Sequence, residues 1–318
     1  MSDVSILLPN LKIKISYPFP IDIKHRRLVQ QAMMAYYASI SNFSNHMLNS
    51  NLMALIEKYR NGIAFEEIEP PEIVGEPILA LTTGKDSLHA LMSLLDMGYK
   101  PHLFYLDRIN KSEAFYEKPK VKEIAKKFDL PLHIPQVTYS AIINRQNHNI
   151  GFRELLIYGA AIPYMQQHNL DTIIFGIWRE LREGPLSGDS HQVMSTYSEI
   201  SGYKYSFHPL GIEYGEDKCI KDFCEKYYDL FPYVTSCYTQ INYREKMYEN
   251  ISSKTGFPIY HGCGYCIKCC RINLGLIAYT NLGCLKSRKL LLGHIEKQIK
   301  IKNLDDPVIN SLLKVVYK

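Results

Sequence analysis

The chain has 318 residues, a net charge of +5 and 46% hydrophobic residues, enough for one large domain or two modest ones with a sizeable core. No apolar run approaches the roughly 20 residues a membrane helix needs, so no membrane partner is expected. Residues 286–318 carry eight Lys or Arg against three acids, which accounts for the whole excess, and the balanced remainder argues against a broad nucleic-acid surface.

In chain order, Leu11 to Tyr17 reads as a short strand. After Pro18-Phe19-Pro20, a helical pattern runs from about Lys24 to Arg60 through Val29, Met33, Tyr36, Tyr37, Ile40, Met47 and Leu55. So broad an apolar face calls for burial against the rest of the chain or a second copy, which allows a homodimer. The stretch Glu66-Glu67-Ile68-Glu69-Pro70-Pro71 reads as a linker that closes an N-terminal extension, 1–76. Strand-like runs at 77–81, 102–106, 132–136 and 172–177 then alternate with helical runs at 86–97, 116–128 and 151–167. That alternation predicts an α/β fold with a doubly wound parallel sheet over 77–235. In the tail, 286–318, Leu290, Leu291, His294, Ile295, Ile299 and Leu313 predict amphipathic helices. Their basic side faces solvent, or meets an RNA or an acidic partner protein.

The first strand of the alternating region (Ile78, Leu79, Ala80, Leu81) runs into Thr82-Thr83-Gly84-Lys85-Asp86-Ser87 and then a helix. A tight turn there leaves the first helical N–H groups unpaired and converging, where the helix dipole also favours an anion. Gly84 permits close approach, and the Thr82, Thr83 and Ser87 hydroxyls can donate to phosphate oxygens. Asp86 beside a triphosphate is repulsive unless a divalent cation intervenes, which points to Mg²⁺. The Walker A pattern is rejected, because Leu79 and Asp86 occupy two of its required positions. Ligands of parallel sheets lie beyond the carboxyl ends of the strands, where Asp107 and Gly176 to Trp178 also fall. Asp107 reads as a contact to a nucleotide or its metal, or as a surface carboxylate capping a turn.

Four of the eight cysteines form Cys237-x25-Cys263-x2-Cys266-x2-Cys269, with Gly262 and Gly264 beside the second. Four thiolates make the closed tetrahedral set of a structural zinc site, here in a subdomain over 236–285. The chain start, interrupted by Asp3, does not read as a secretory signal, so a cytoplasmic protein with metal rather than disulfides is expected. His261 and Cys270 adjoin the set as substitutes. Cys219, Cys224 and Cys284 are expected to pack in the core.

Thr82 to Ser87 resembles the Ser-Gly-Gly-x-Asp-Ser loop of the PP-loop ATP pyrophosphatases, the adenine nucleotide alpha hydrolase-like superfamily, with Thr83 in place of a glycine. Thr235-Ser236-Cys237-Tyr238 and Cys263-Gly264-x-Cys266-x-x-Cys269-x-Arg271 are similar to the zinc-binding tail of the QueC-type 7-cyano-7-deazaguanine synthases, with an insertion at 239–261. Weaker likenesses are Gly151-x-Arg153 (with Glu154 where Asn is usual), Phe175-Gly176-Ile177, Ser187-Gly188-Asp189-Ser190 and His208-Pro209-Leu210. The likeness covers roughly residues 77 to 285.

The resemblance implies an ATP-dependent C–N ligase of queuosine biosynthesis. It adenylates a carboxylate, 7-carboxy-7-deazaguanine or a related acceptor, releases pyrophosphate and admits ammonia or an amine. Asp86, Lys85 and Arg153 would be catalytic. Thr82, Thr83, Gly84, Lys85, Asp86, Ser87, Asp107 and Gly176 would bind ATP and Mg²⁺, and Ser187, Gly188, Asp189 and Arg179 the acceptor; Arg179 or Arg182 would also help neutralise charge on the phosphoryl oxygens. Zn²⁺ would be structural. QueC-like proteins of antiviral defence systems act on other partners, which admits a protein carboxylate or a nucleic acid here, reached through the N-terminal extension or basic tail. A tRNA-modifying relative and a non-catalytic zinc-stapled nucleotide-binding scaffold are the other readings.

Overall fold

The structure, a computed structural model, describes residues 2–8, 11–40, 47–61, 72–108, 112–140, 153–176, 186–211, 215–235, 237, 250–251, 253–257 and 263–317. It is a mixed α/β chain in two compact units. The first comprises Met1–Leu81, Ser93–Ile177 and Leu181–Leu210, and the second Thr82–Met92, Trp178–Glu180 and Gly211–Lys318.

The first unit holds two sheets. Strands β3 (Ile78–Ala80), β4 (His102–Phe104), β6 (Leu132–His133), β8 (Thr172–Gly176) and β9 (Ser206–Leu210) form an all-parallel sheet in the order β6-β4-β3-β8-β9. The central strand β3 and its neighbour β8 are buried along nearly their whole length, as expected where both faces are covered, whereas the outer strands β6 and β9 are only half-buried or alternate. The predicted runs at 102–106 and 132–136 are each cut short. After Phe104 and His133 the chain starts new strands, β5 (Asp107–Arg108) and β7 (Gln136–Ser140), which pair in a second sheet.

That second sheet, ordered β1-β2-β7-β5, corrects the expectation of a helical N-terminal extension. Strands β1 (Ser2–Leu8) and β2 (Leu11–Tyr17) form an antiparallel hairpin, and β2 pairs antiparallel with β7. Period-two alternation explains β2: Ile13, Ile15 and Tyr17 are buried while Lys12, Lys14 and Ser16 take the other face.

The single helix expected from about Lys24 to Arg60 is two, α1 (Ile23–Ile40) and α2 (Ser50–Arg60). Asn49 starts the second: its Oδ1 accepts the amides of Asn51 at 2.9 Å and Leu52 at 3.4 Å, as an N-cap does. Asp22 caps α1 likewise, accepting from the His25 amide at 2.8 Å. Helix α1 packs on α5 (Arg153–Gln167), where buried Ala32 meets Gly159. A Cβ placed on Gly159 would lie 2.1 Å from the Ala32 Cβ, so the helices meet nearly backbone to backbone. Helices α3 (Lys85–Asp96), α4 (Ser112–Phe128) and α6 (Leu186–Ser201) fill the remaining predicted and connecting positions.

The second unit is helical, with α7 (Glu216–Glu225), a 3-10 turn (Tyr228–Tyr233), α8 (Ile267–Tyr279), α9 (Leu285–Lys302) and α10 (Pro307–Val316). Helix α8 is its centre and contacts α7, α9 and α10. Gly275 lets α7 approach, since a Cβ there would stand 2.0 Å from Ile220 Cγ2. Leu291 and Ile295 of α9 are buried, as the tail pattern predicted, whereas Leu290 is exposed. Among the described residues no helix is long and apolar enough to cross a membrane.

Candidate metal centre and phosphate-binding turn

The four cysteine sulfurs of Cys237, Cys263, Cys266 and Cys269 lie within 4.8 Å of one another. Cys237 and Cys266 sulfurs are 3.9 Å apart and Cys266 and Cys269 sulfurs 3.4 Å. Zn–S bonds of ~2.3 Å at a tetrahedral centre require sulfur pairs about 3.8 Å apart, so this group could hold a zinc ion. Local backbone builds it. Gly264 at φ +69° turns the chain so that the amides of Tyr265 and Cys266 both donate to Cys263 Sγ at 3.3 Å. Cys266 then takes the N-cap position of α8, and Cys269 lies in its first turn, where the helix dipole favours thiolate. Helix α9 braces the knuckle from outside, with Lys302 donating to the Tyr265 carbonyl at 2.6 Å and His294 Nε2 3.2 Å from that of Gly264.

Hydrogen bonding from Cys237, Cys263 and Cys266, with burial behind it, raises the Cys269 thiol far above its usual range. Cys270 stands outside the set. It is fully buried, and burial pushes its thiol up to about 11. His261 lies outside the described residues. Cys219 and Cys224 are core residues as expected, but Cys284 is exposed, because it occupies the N-cap of α9 rather than its buried face.

The Thr82–Ser87 turn is tied by Ser87. Its hydroxyl lies 2.8 Å from the Thr82 carbonyl and 3.1 Å from that of Gly84, and accepts the Thr82 amide at 3.1 Å. The Thr82 hydroxyl accepts the Gly84 amide at 3.2 Å. Thr83 points inward and is fully buried. Its hydroxyl pairs with that of Thr235, whose amide donates to the Thr83 carbonyl at 2.7 Å. Of the three hydroxyls expected to face a phosphate, only that of Thr82 is on an exposed residue.

Lys85 is buried and held by two carboxylates, Asp86 beside it and Glu216 Oε1 at 2.9 Å. Burial alone would lower its pKa. The Asp86 charge, then that of Glu216, outweigh it and hold the ammonium above its usual value. Glu216 also pairs with Arg271, which forms a two-pronged contact to Asp306. Asp306 caps α10 through the Ile309 amide at 2.9 Å. Arg271, the arginine that follows the cysteine cluster, therefore links Glu216 to Asp306 in a Lys85-Glu216-Arg271-Asp306 chain of charges, which local sequence spacing does not signal.

Asp107 is buried in β5 of the first unit and pairs with Lys118 at 2.5 Å, so it is not a surface turn cap. Gly176 ends β8. Arg153 opens α5, and Ser187, Gly188 and Asp189 fall within α6; their side chains, and all of Arg179 and Arg182, lie outside the described residues.

Sequence reading missed one cluster entirely. His102, His133 and His168 of the first unit bring their ring nitrogens within 4.8 Å of one another. Burial, then the neighbouring His168 and His102, pushes the His133 imidazole down to about 3.

No protein-family model matches the chain, and no curated protein gives a significant match to it.

Proposed function

We propose that the chain is an ATP-dependent C–N ligase of the QueC type, with the doubly wound sheet of the PP-loop enzymes. The observation that carries this reading is the Thr82–Ser87 turn. It follows β3, the middle strand of five parallel ones, and opens α3 with Asp86 in the first helical turn. A parallel sheet with that order takes ligands beyond the carboxyl ends of its strands, and a helix start favours an anion.

In this reading the acceptor's carboxylate oxygen attacks the alpha phosphorus of ATP, and the bond to the bridging oxygen breaks as pyrophosphate leaves. Ammonia or an amine then attacks the acyl carbon, and AMP departs with the former carboxylate oxygen. Asp86, with a side chain 35% exposed, would hold Mg²⁺, which would supply charge neutralisation for the phosphates. Lys85, fixed as the ammonium, contributes a positive field at the same turn, and preorganised amides stabilise charge that grows on the phosphoryl oxygens. A saturated four-cysteine zinc site would brace the fold and leave no open position for chemistry.

A second reading, a zinc-stapled nucleotide-binding scaffold, is favoured by one observation: Lys85 already has two carboxylate partners. Incubation with ATP, Mg²⁺, ammonium and 7-carboxy-7-deazaguanine separates the two. Pyrophosphate release supports the ligase, ATP binding without release supports the scaffold, and absence of both removes the nucleotide reading.

A further inference from the structure

The first unit gathers three imidazoles from separate elements. His102 opens β4 and His133 ends β6, at one edge of the parallel sheet. In the register Phe104 lies opposite His133, and His102 precedes Phe104 by two residues, so both histidines share one face. Helix α5 covers that face: the Tyr164 ring meets Phe104 at 5.7 Å and His133 at 4.7 Å between centroids. His168 follows one turn after Tyr164, its amide donating to the Tyr164 carbonyl at 3.0 Å, and Asn169 at φ 54° ends the helix. The third imidazole is thereby delivered to the same spot, its ring centroid 4.6 Å from that of His133 and 5.1 Å from that of His102.

We infer that His102, His133 and His168 form a second metal site, which takes a borderline divalent cation of the zinc, cobalt or nickel class. Ring nitrogens are the preferred donors for such ions, and three of them within 4.8 Å need only small rotations to reach Zn–N bonds of about 2.0–2.1 Å. His102 Nδ1 and His133 Nε2 already stand 2.9 Å apart. One further feature favours a cation there. The site lies at the C-terminal end of α5, where the helix dipole and its last carbonyls attract positive charge. His168 is exposed, so the fourth coordination position opens to solvent.

The test uses the 318-residue chain with its cysteines loaded with zinc, titrated with Co²⁺. One further equivalent should bind with visible d–d absorption and no thiolate-to-cobalt charge transfer, which separates this site from the cysteines. His168→Ala and His102→Ala should each weaken that binding by at least about tenfold, the floor set by loss of mere outer-shell partners. Wild-type protein that takes up no cobalt beyond its thiolates, or a folded His168→Ala variant that binds it as wild type does, overturns the site and leaves a hydrogen-bonded imidazole stack. Should both variants fail to fold, histidine ring resonances of the wild type decide: three imidazoles shifting on addition of Zn²⁺ support the site, and three unmoved ones overturn it.

Discussion

Glu216 joins Lys85 to Arg271: its Oε1 accepts from the Lys85 ammonium at 2.9 Å while its other oxygen meets the Arg271 guanidinium. The carboxylate lies at the start of α7 and is itself buried, so it neutralises two cations that water reaches poorly. Removing one partner of a buried pair leaves an uncompensated charge, which costs about 3–5 kcal/mol. Lys85 and Arg271 each retain another carboxylate, which places Glu216→Gln near the low end, about 3 kcal/mol. Urea unfolding of wild type and variant measures it, and equal midpoints would contradict the linking role.

Asp86→Ala is expected to abolish pyrophosphate release while leaving the far-UV circular dichroism unchanged. Lys85 keeps Glu216 as a partner, so the loss is one of chemistry rather than of folding. A rate equal to wild type would count against the turn as the reaction site.

Cys266→Ser should lower the zinc content by about one equivalent per chain and lower the unfolding temperature. Metal binding free energy is folding free energy where the unfolded chain has no site. Elemental analysis with calorimetry checks both. Unchanged zinc would remove the cluster as a ligand set.

Gly159→Ala pits two effects against each other. Alanine favours a helix by about 1 kcal/mol, but its Cβ would stand 2.1 Å from that of Ala32, and overpacking of this kind costs about 1–3 kcal/mol. We expect net destabilisation, relieved when Ala32→Gly is added. A stabilised single variant would mean that α1 and α5 can part at no cost.

His89 gives a pH dependence. Burial lowers its imidazole, and Asp222 at 3.1 Å and the Asp86 charge only partly oppose this; Lys226 adds to the lowering, and Phe223 and Tyr227 pack against the ring. Its folded pKa is therefore below the unfolded value of about 6.5. Below that pH the unfolded state binds more protons, so stability is complete above about 6.5 and is lost as pH falls toward the folded value. His89→Gln should flatten the decline in urea midpoint between about pH 7.5 and 5.5 relative to wild type. Identical slopes would contradict it.

Residue order alone was enough for features whose partners are close along the chain or repeat with a fixed period. The cysteine ligand spacing, the parallel-sheet alternation from 77 onward and the amphipathic tail all have this local character, because a metal knuckle, a strand and a helix face each impose their own short-range pattern. The break between α1 and α2 was missed because the apolar period continues across it, although Asn49 stood there as a cap. Tertiary structure decided the rest. Pairing of β2 with β7 is a non-local backbone match that leaves no mark on either strand. Thr83 turned inward only because Thr235 was there to receive it, and Asp107 became buried only when Lys118 could neutralise it. The three histidines have no motif to announce them, since sheet register and the end of α5 bring them together. Side-chain chemistry is written locally, whereas the company a side chain keeps follows from long-range packing.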